Sequence, residues 1–195
     1  MSIGRGDVRA EVEGTAKFLG ATKREWSECL VVASNHDQML TRWLRESDFR
    51  EDPQNALFFL ERSLELHRRL RRGEDTDGFF EETMRVSSPE RLQGVKFLTD
   101  GESHRIHGVE VAIHGHKSVD GKPGGMQALE RLGLRATIGH THRPTTRGGL
   151  YSTGVCCADL NYARGPLTAW AVAHVVTYRG GARQHLFYHG ARFHS

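Results

Sequence analysis

The chain has 195 residues, of which 37% are hydrophobic, so it is long enough for one domain with a sizeable core and leaves little room for a second. Its 27 Lys and Arg residues against 24 Asp and Glu give a formal net charge of +3, which does not by itself identify nucleic acid as a partner. The 3 cysteines fit neither a disulfide framework nor a zinc finger, and no apolar run is long enough for a membrane helix. We therefore expect a cytoplasmic protein without a membrane partner.

The first half of the chain is predicted to be mostly helical around one buried strand. Residues 7–19 carry apolar side chains at helical spacing, and residues 29–33 form an apolar run typical of a strand buried on both faces. Residues 38–95 are again helical in pattern, and Asp52-Pro53 predicts a helix start with Asp as N-cap. Apolar residues cover a wide arc of this helix, so we expect most of it to be buried.

The second half is predicted to alternate strands with a short helix. A Gly-rich stretch, residues 121–125, lacks the spacing of a phosphate-binding loop and is interpreted as a flexible connection. Strands alternating with helices, followed by a run of strands, indicate a layered α/β domain. The helix is expected at 126–132 and the strands at 95–98, 104–107, 109–113, 134–138, 150–153, 168–178 and 184–188.

Three clusters of polar residues each follow an apolar, strand-like run. In a layered sheet such clusters can meet at the carboxyl ends of strands, where sites usually form. Imidazoles and an amide oxygen suit manganese, iron, zinc or nickel. If the backbone is extended after the last strand, histidines two residues apart point to the same side. The clusters are Asn35-His36-Asp37, His114-Gly115-His116 and Gly139-His140-Thr141-His142.

Each cluster taken alone also has a simpler explanation. Asn35 and Asp37 can form a turn and cap the helix that follows. The histidines on either side of Gly115 can face solvent, and residues 139–142 can be an ordinary turn. The joint order of the three clusters and their strand contexts favour a metal site.

This order, with Ser-Asn-His-Asp, His-Gly and Gly-His-Thr-His each after a strand, resembles the last three sequence blocks of the calcineurin-like metallophosphoesterases. The stretches 34–44, 52–56 and 138–144 are most similar to phage- and prophage-encoded members, some of them linked to host-DNA breakdown. The resemblance, which covers most of residues 29–190, implies an α/β fold: an αββα sandwich of two mixed sheets flanked by helices. It implies one domain over residues 1–195, with 38–95 as a helical insertion or cap.

The resemblance implies a metal-dependent phosphoester hydrolase with a dinuclear centre. Asn35, His114 and His140 would be ligands of the second metal ion, and His142 would reach the first. The expected ions are two divalent metals, Mn2+ first, with Zn2+, Fe2+, Ni2+ or Mg2+ as alternatives. The substrate would be a phosphodiester or phosphomonoester, with nucleic acid favoured by the similarity to phage proteins, in the cytoplasm of a bacterial or phage-infected cell.

The resemblance also implies the catalytic residues. His36 would be the uncoordinated histidine that stabilises charge on the phosphoryl group and protonates the leaving oxygen. Asp37 would orient His36 and support its cationic form. His116 has no role in the family pattern and is retained as a candidate substrate-binding residue.

The chain differs from the family in the first two sequence blocks. The superfamily begins with Asp-x-His and then Gly-Asp, and this chain contains no Asp-x-His. Gly6-Asp7 lies at a compatible distance before Asn35, so Asp7 is a candidate bridging ligand, or else the N-cap of the following helix. We therefore expect a chain that is N-terminally incomplete relative to the family.

Two alternatives follow. One is a catalytically incomplete remnant or subunit of a split metallophosphoesterase, which pairs with a second copy or with a chain that supplies the first strands. The other is a mononuclear zinc-binding protein with four imidazole ligands, His114, His116, His140 and His142. The arginines between residues 62 and 72 can line a phosphate-backbone path or form a solvated helix face.

Overall fold

The computed structural model describes residues 6–118, 121–156, 169–189 and 192–194. The described residues form a mixed α/β structure with several sheets, which confirms the predicted α/β class. The chain divides into two compact units. Unit 1 comprises Met1–Val31 and Asn35–Thr99, and unit 2 comprises Val32–Ser34 and Asp100–Ser195. In the described ranges, no helix is long and apolar enough to cross a membrane.

Unit 1 is mainly helical because its apolar residues recur at helical spacing and each helix buries one stripe. Two clusters of buried side chains form its core, one around Val12, Ala16 and Met84 and the other around Leu66 and Phe79. Its elements are α1 (Val8–Thr22), β1 (Cys29–Val32), α2 (Gln38–Glu46), α3 (Ala56–Arg71), α4 (Phe79–Ser87) and β2 (Val95–Leu98), with β1 paired to β2.

Helix α3 begins later than the sequence predicts. Asn55, not Asp52, occupies the N-cap position. Asp52 is buried, and its carboxylate oxygens accept from Asn55 Nδ2 at 3.1 and 3.0 Å. Asn55 Nδ2 also donates to the Gly6 carbonyl oxygen, and Asn55 Oδ1 accepts from the Val8 N–H. The prediction of Asp52 as N-cap is therefore wrong. The Asp52 carboxylate instead accepts hydrogen bonds from Asn55, and Asn55 links the start of α1 to the start of α3.

Helix α3 is buried on one face only. Leu66 is 1% exposed, whereas Leu57, Leu60 and Leu64 are 68%, 47% and 54% exposed. The expectation that most of this helix is buried is therefore wrong. The buried phenylalanines and Leu66 already fill the stripe that faces the core, and the leucines at 57, 60 and 64 lie outside that stripe.

Unit 2 contains a five-stranded sheet in the order β3-β4-β5-β7-β6 and an antiparallel sheet in the order β10-β9-β8. Strands β4, β5 and β7 run parallel to one another, so residues that follow β4 and β5 emerge at the same edge. The elements are β3 (Arg105–Ile106), β4 (Val109–Glu110), α5 (Met126–Glu130), β5 (Ala136–Ile138), β6 (Thr145–Arg147), β7 (Leu150–Ser152), β8 (Ala173–Thr177), β9 (Arg183–His189) and β10 (Arg192–His194).

The predicted strands of unit 2 differ from the observed ones mainly at their ends. Strand β4 is shorter than the predicted 109–113, and the sequence pattern does not predict strands β6 and β10. Residue 168, the predicted start of the strand observed as β8, lies outside the described residues. A short, exposed strand such as β6 has no apolar alternation from which it could be predicted.

Candidate functional site

Three histidine side chains lie together in unit 2, and we call His114, His116 and His140 the histidine cluster. The ring centroids of His114 and His140 are 5.3 Å apart, those of His114 and His116 5.5 Å, and those of His116 and His140 6.3 Å. The first two residues follow β4 and the third follows β5. The parallel pairing of these strands thus brings together two of the three polar clusters that the sequence singles out.

Backbone contacts hold the histidine cluster in place. The His114 carbonyl oxygen accepts from the N–H groups of both Gly139 and His140, each at 3.0 Å. Gly115 has a φ of 102°, and a Cβ there would lie 3.1 Å from Ile138 Cδ1 and 3.5 Å from His140 Cβ. Glycine is therefore needed at position 115 both for its backbone conformation and for the close approach of the two segments.

The Gly-rich stretch packs against this cluster. Gly124 donates its N–H to the His116 carbonyl oxygen at 2.8 Å, and a Cβ on Gly124 would overlap the Gly115 carbonyl oxygen. The sequence predicts only a flexible connection here. The structure shows a segment that lies directly on the His114-Gly115-His116 backbone, where only a residue without a side chain fits.

An acidic residue outside the three polar motifs lies beside the histidine cluster. The Asp100 carboxylate lies 3.7 Å from His116 Nε2 and also pairs with the Lys117 ammonium group. The His116 side chain is only 11% exposed. A signal for Asp100 was present, because it closely follows the apolar strand β2 and precedes a glycine, the same context that singled out the histidines.

One feature of the histidine cluster favours a metal ion, and another argues against a complete metal site. His140 Nδ1 is buried, and no residue in the described ranges forms a hydrogen bond with it. A buried polar atom without a partner costs about 1–3 kcal/mol, which coordination of a metal ion would offset. Within the described part of the chain, however, no group of three or more His, Cys, Asp or Glu side chains converges closely enough to hold an ion. His114 and His140 therefore do not by themselves complete a metal site, and their role as metal ligands stays a prediction.

His142 follows a turn and does not lie in a strand. Strand β5 ends at Ile138, and His142 has a left-handed φ of 57°. Its ring contacts that of Trp170, with centroids 4.5 Å apart and an interplanar angle of 82°. The premise of an extended backbone is wrong, because residues 140 and 141 form a turn and the i, i+2 rule holds only in a strand. That His142 binds a first metal stays a prediction.

Asn35, His36 and Asp37 form the turn between β1 and α2 and belong to unit 1. The His36 carbonyl oxygen accepts from the Met39 N–H at 2.9 Å. Asp37 occupies the N-cap position, but its side chain accepts no capping hydrogen bond from the described first turn of α2. Asp37 therefore lies at the position of a helix cap, but its carboxylate does not cap the described first turn of α2.

Asp7 caps helix α1 in unit 1. Its Oδ1 atom accepts from the Ala10 N–H at 2.9 Å. The sequence predicts Asp7 either as a bridging metal ligand or as a helix N-cap, and the structure shows the N-cap. Its role as a bridging metal ligand stays a prediction.

The formal charge is distributed unevenly between the two units. By sequence, unit 2 contains 11 Lys and Arg residues against 6 Asp and Glu, a formal charge of +5. Unit 1 contains 16 against 18, a formal charge of −2. The small net charge of the whole chain is therefore the sum of a weakly acidic unit 1 and a basic unit 2, and unit 2 contains the histidine cluster.

The chain is similar to one phage protein. Protein A1 of Escherichia phage T5 is 30% identical to it over 195 residues, an alignment that covers 98% of this chain and 34% of the phage protein. The chain thus spans about a third of the length of this relative. The phage origin of the relative agrees with the predicted phage-like character of the sequence. No family model matches the chain, and no solved structure matches it.

Proposed function

We propose that this protein is a metal-dependent phosphoester hydrolase of the calcineurin-like type, with the αββα sandwich of that superfamily, and that nucleic acid is its substrate. The observation that carries the proposal is the pair of imidazoles of His114 and His140 at the carboxyl edge of two parallel strands, with the buried His140 Nδ1 unpartnered among the described residues. An imidazole pair in that place is typical of a metal site.

The roles of the residues follow the resemblance. His114 and His140 would hold a divalent ion, and His142 would bind a second ion. When bound, the ions would supply positive charge that polarises the phosphoryl group. His36 would donate a proton to the leaving oxygen, and Asp37 would support the cationic form of His36.

Two observations support nucleic acid as the substrate class. The formal charge of +5 on unit 2 favours a polyanion over a small phosphoester that carries only one or two charges. The second is the resemblance of the sequence stretches to phage proteins linked to DNA breakdown, and the phage origin of the relative agrees with their phage-like character. If the proposal holds, DNA binding weakens steeply as the salt concentration rises, because bound phosphates release counterions.

The experiment combines metal counting with hydrolysis by the purified chain. Mn2+ binding is measured by titration calorimetry, and turnover is measured on bis-p-nitrophenyl phosphate and on DNA. We expect His140→Ala to lose metal binding and turnover together. His36→Ala should retain the metal while turnover falls by roughly 10²–10⁴-fold, the usual contribution of a general acid.

His67→Ala is the matched control, because His67 lies on the exposed face of α3 and should change neither property. Absence of turnover in the wild-type chain with excess Mn2+ would contradict the proposal for this chain and support a catalytically incomplete subunit.

A mononuclear zinc protein is a second candidate, in which His116 would be a further ligand beside His114 and His140. The His116 ring lies close to both other imidazoles of the cluster. The two candidates differ in the role of this residue. A hydrolase with the family's ligands should retain its metal in His116→Ala, whereas one tightly bound zinc that is lost in this variant would establish the zinc protein.

A further inference from the structure

A cavity of about 300 Å³ opens within unit 1 between helices α1, α2 and α4. Val12, Leu40 and Met84 line it and are 8%, 9% and 0% exposed. Trp43 and Phe80 also line it and are partly buried. The cavity is thus an apolar, aromatic space within the size range of small-molecule sites.

The walls of this cavity are held by the surrounding core. The Trp43 indole contacts the Phe59 ring edge-on, with centroids 5.0 Å apart and an interplanar angle of 85°. Phe80 packs against both core clusters of unit 1. The aromatic side chains are therefore fixed before any ligand arrives, which reduces the entropy lost on binding.

The polar residues that line the cavity are few. His36 and Glu11 are exposed, and Thr15, one turn after Glu11 on α1, donates its hydroxyl to the Glu11 carbonyl oxygen at 2.8 Å. An exposed carboxylate accepts hydrogen bonds from amino groups. His36, the residue proposed to act on the phosphoryl group, lines the same cavity.

We propose that this cavity binds a nucleobase of the substrate, from the nucleotide next to the phosphate on which His36 acts. This inference rests on the proposed function. A base offers a planar apolar face to aromatic side chains, as in single-stranded nucleic-acid binding. The Glu11 carboxylate accepts from an exocyclic amine, so cytosine, adenine and guanine are preferred over thymine. An apolar side chain of a partner protein is the competing occupant.

The test fills the cavity without disturbing the core. Thr15→Phe places a large side chain at an exposed position that lines the cavity, and Glu13→Phe places the same side chain on the same helix at an exposed position that does not. Binding of dCMP is measured by titration calorimetry without metal, with 2-deoxyribose 5-phosphate as the ligand that lacks a base.

We expect the wild type and Glu13→Phe to bind dCMP, Thr15→Phe to bind it at least tenfold more weakly, and none of them to bind the sugar phosphate comparably. Glu11→Gln should reduce the preference for dCMP over dTMP. Equal affinity of wild type and Thr15→Phe would overturn the inference. Absence of nucleotide binding to the wild type would also overturn it and favour a partner's side chain as the occupant.

A second measurement separates this inference from the proposed function. Hydrolysis of an oligonucleotide is compared with hydrolysis of the same oligonucleotide carrying an abasic site. If dCMP binds but neither oligonucleotide is hydrolysed, the base site stands and the hydrolase proposal fails. If both are hydrolysed equally and Thr15→Phe changes neither rate, the hydrolase proposal stands and the base site fails.

Discussion

The His140 N–H donates to the His114 carbonyl oxygen at 3.0 Å, and the two imidazole centroids lie 5.3 Å apart. The spacing of the two rings is therefore set by the backbone that leaves two paired strands, and not by long, freely rotating connections. A change that separates these two segments should lower metal affinity even if neither histidine is replaced.

Gly115→Ala provides that change. At a φ of 102° any side chain strains the backbone, and the new Cβ would crowd Ile138 and His140 at 3.1 and 3.5 Å. Gly101→Ala is the matched control, because Gly101 has a φ of 94° and a Cβ there meets nothing within 4 Å. Both variants should lose about 1–3 kcal/mol of stability from backbone strain, measured by urea unfolding. Only Gly115→Ala should weaken Mn2+ binding. Equal Mn2+ affinities in the two variants would contradict this coupling.

The two possible roles of Asp7, helix N-cap and metal ligand, can be separated by a substitution that retains the cap and removes the carboxylate. Serine is also a good N-cap, so Asp7→Ser should be as stable as the wild type, whereas Asp7→Ala should lose about 0.5–2 kcal/mol in thermal or urea unfolding. We expect Mn2+ affinity to be unchanged in both variants, because the Asp7 carboxylate already accepts from Ala10. Loss of metal binding in Asp7→Ser despite full stability would show instead that Asp7 is the bridging ligand.

Glu110 is a buried carboxylate that stabilises unit 2 in its ionised form. Burial acts to raise the pKa of Glu110, but hydrogen bonds from the Ser103 hydroxyl and the N–H groups of Ala112 and His104 outweigh it and lower that pKa. We expect Glu110→Gln to lose about 1–3 kcal/mol near neutral pH, because buried donors are left badly paired.

The pH dependence of the Glu110 contribution has a definite sign. A carboxylate with a lowered pKa contributes stability that is fully present above its pKa in the unfolded chain and is lost as the pH falls through its lower pKa in the folded chain. Urea unfolding should therefore show a difference between wild type and Glu110→Gln that shrinks with acidification. A difference that grows in acid would contradict the lowered pKa. Glu25→Gln, at an exposed position, is the control.

The two faces of α3 differ in their importance for stability. Leu66→Ala should destabilise the protein by about 2–5 kcal/mol, because Leu66 is 1% exposed in the core. Leu60→Ala, the same truncation at a side chain that is 47% exposed, should change stability by less than about 0.5 kcal/mol. Equal losses in the two variants, measured by urea unfolding, would show that Leu60 is buried in solution.

The sequence alone predicts the helices and the longer strands of this protein well. The predicted helix at 7–19 corresponds to α1 (Val8–Thr22), and the predicted strand at 95–98 corresponds to β2 (Val95–Leu98). These elements are predictable because the spacing of their apolar residues has the period of a helix or of a strand. Of the three polar motifs that the sequence singles out, the structure brings two together in unit 2, those of His114 and His140. Asp100 also follows a strand and precedes a glycine, but its closeness to His116 depends on the tertiary structure.

What the sequence by itself determined is local: the period of each element, the α/β class, and the identity and order of the polar clusters. Only the tertiary structure decided that β4 pairs in parallel with β5, so that His114 meets His140, and that His142 has a left-handed backbone and contacts Trp170. Strand pairing and turn conformation depend on contacts between residues far apart in the chain. A spacing of two or four residues predicts a periodicity, but it does not predict which neighbour a side chain will meet.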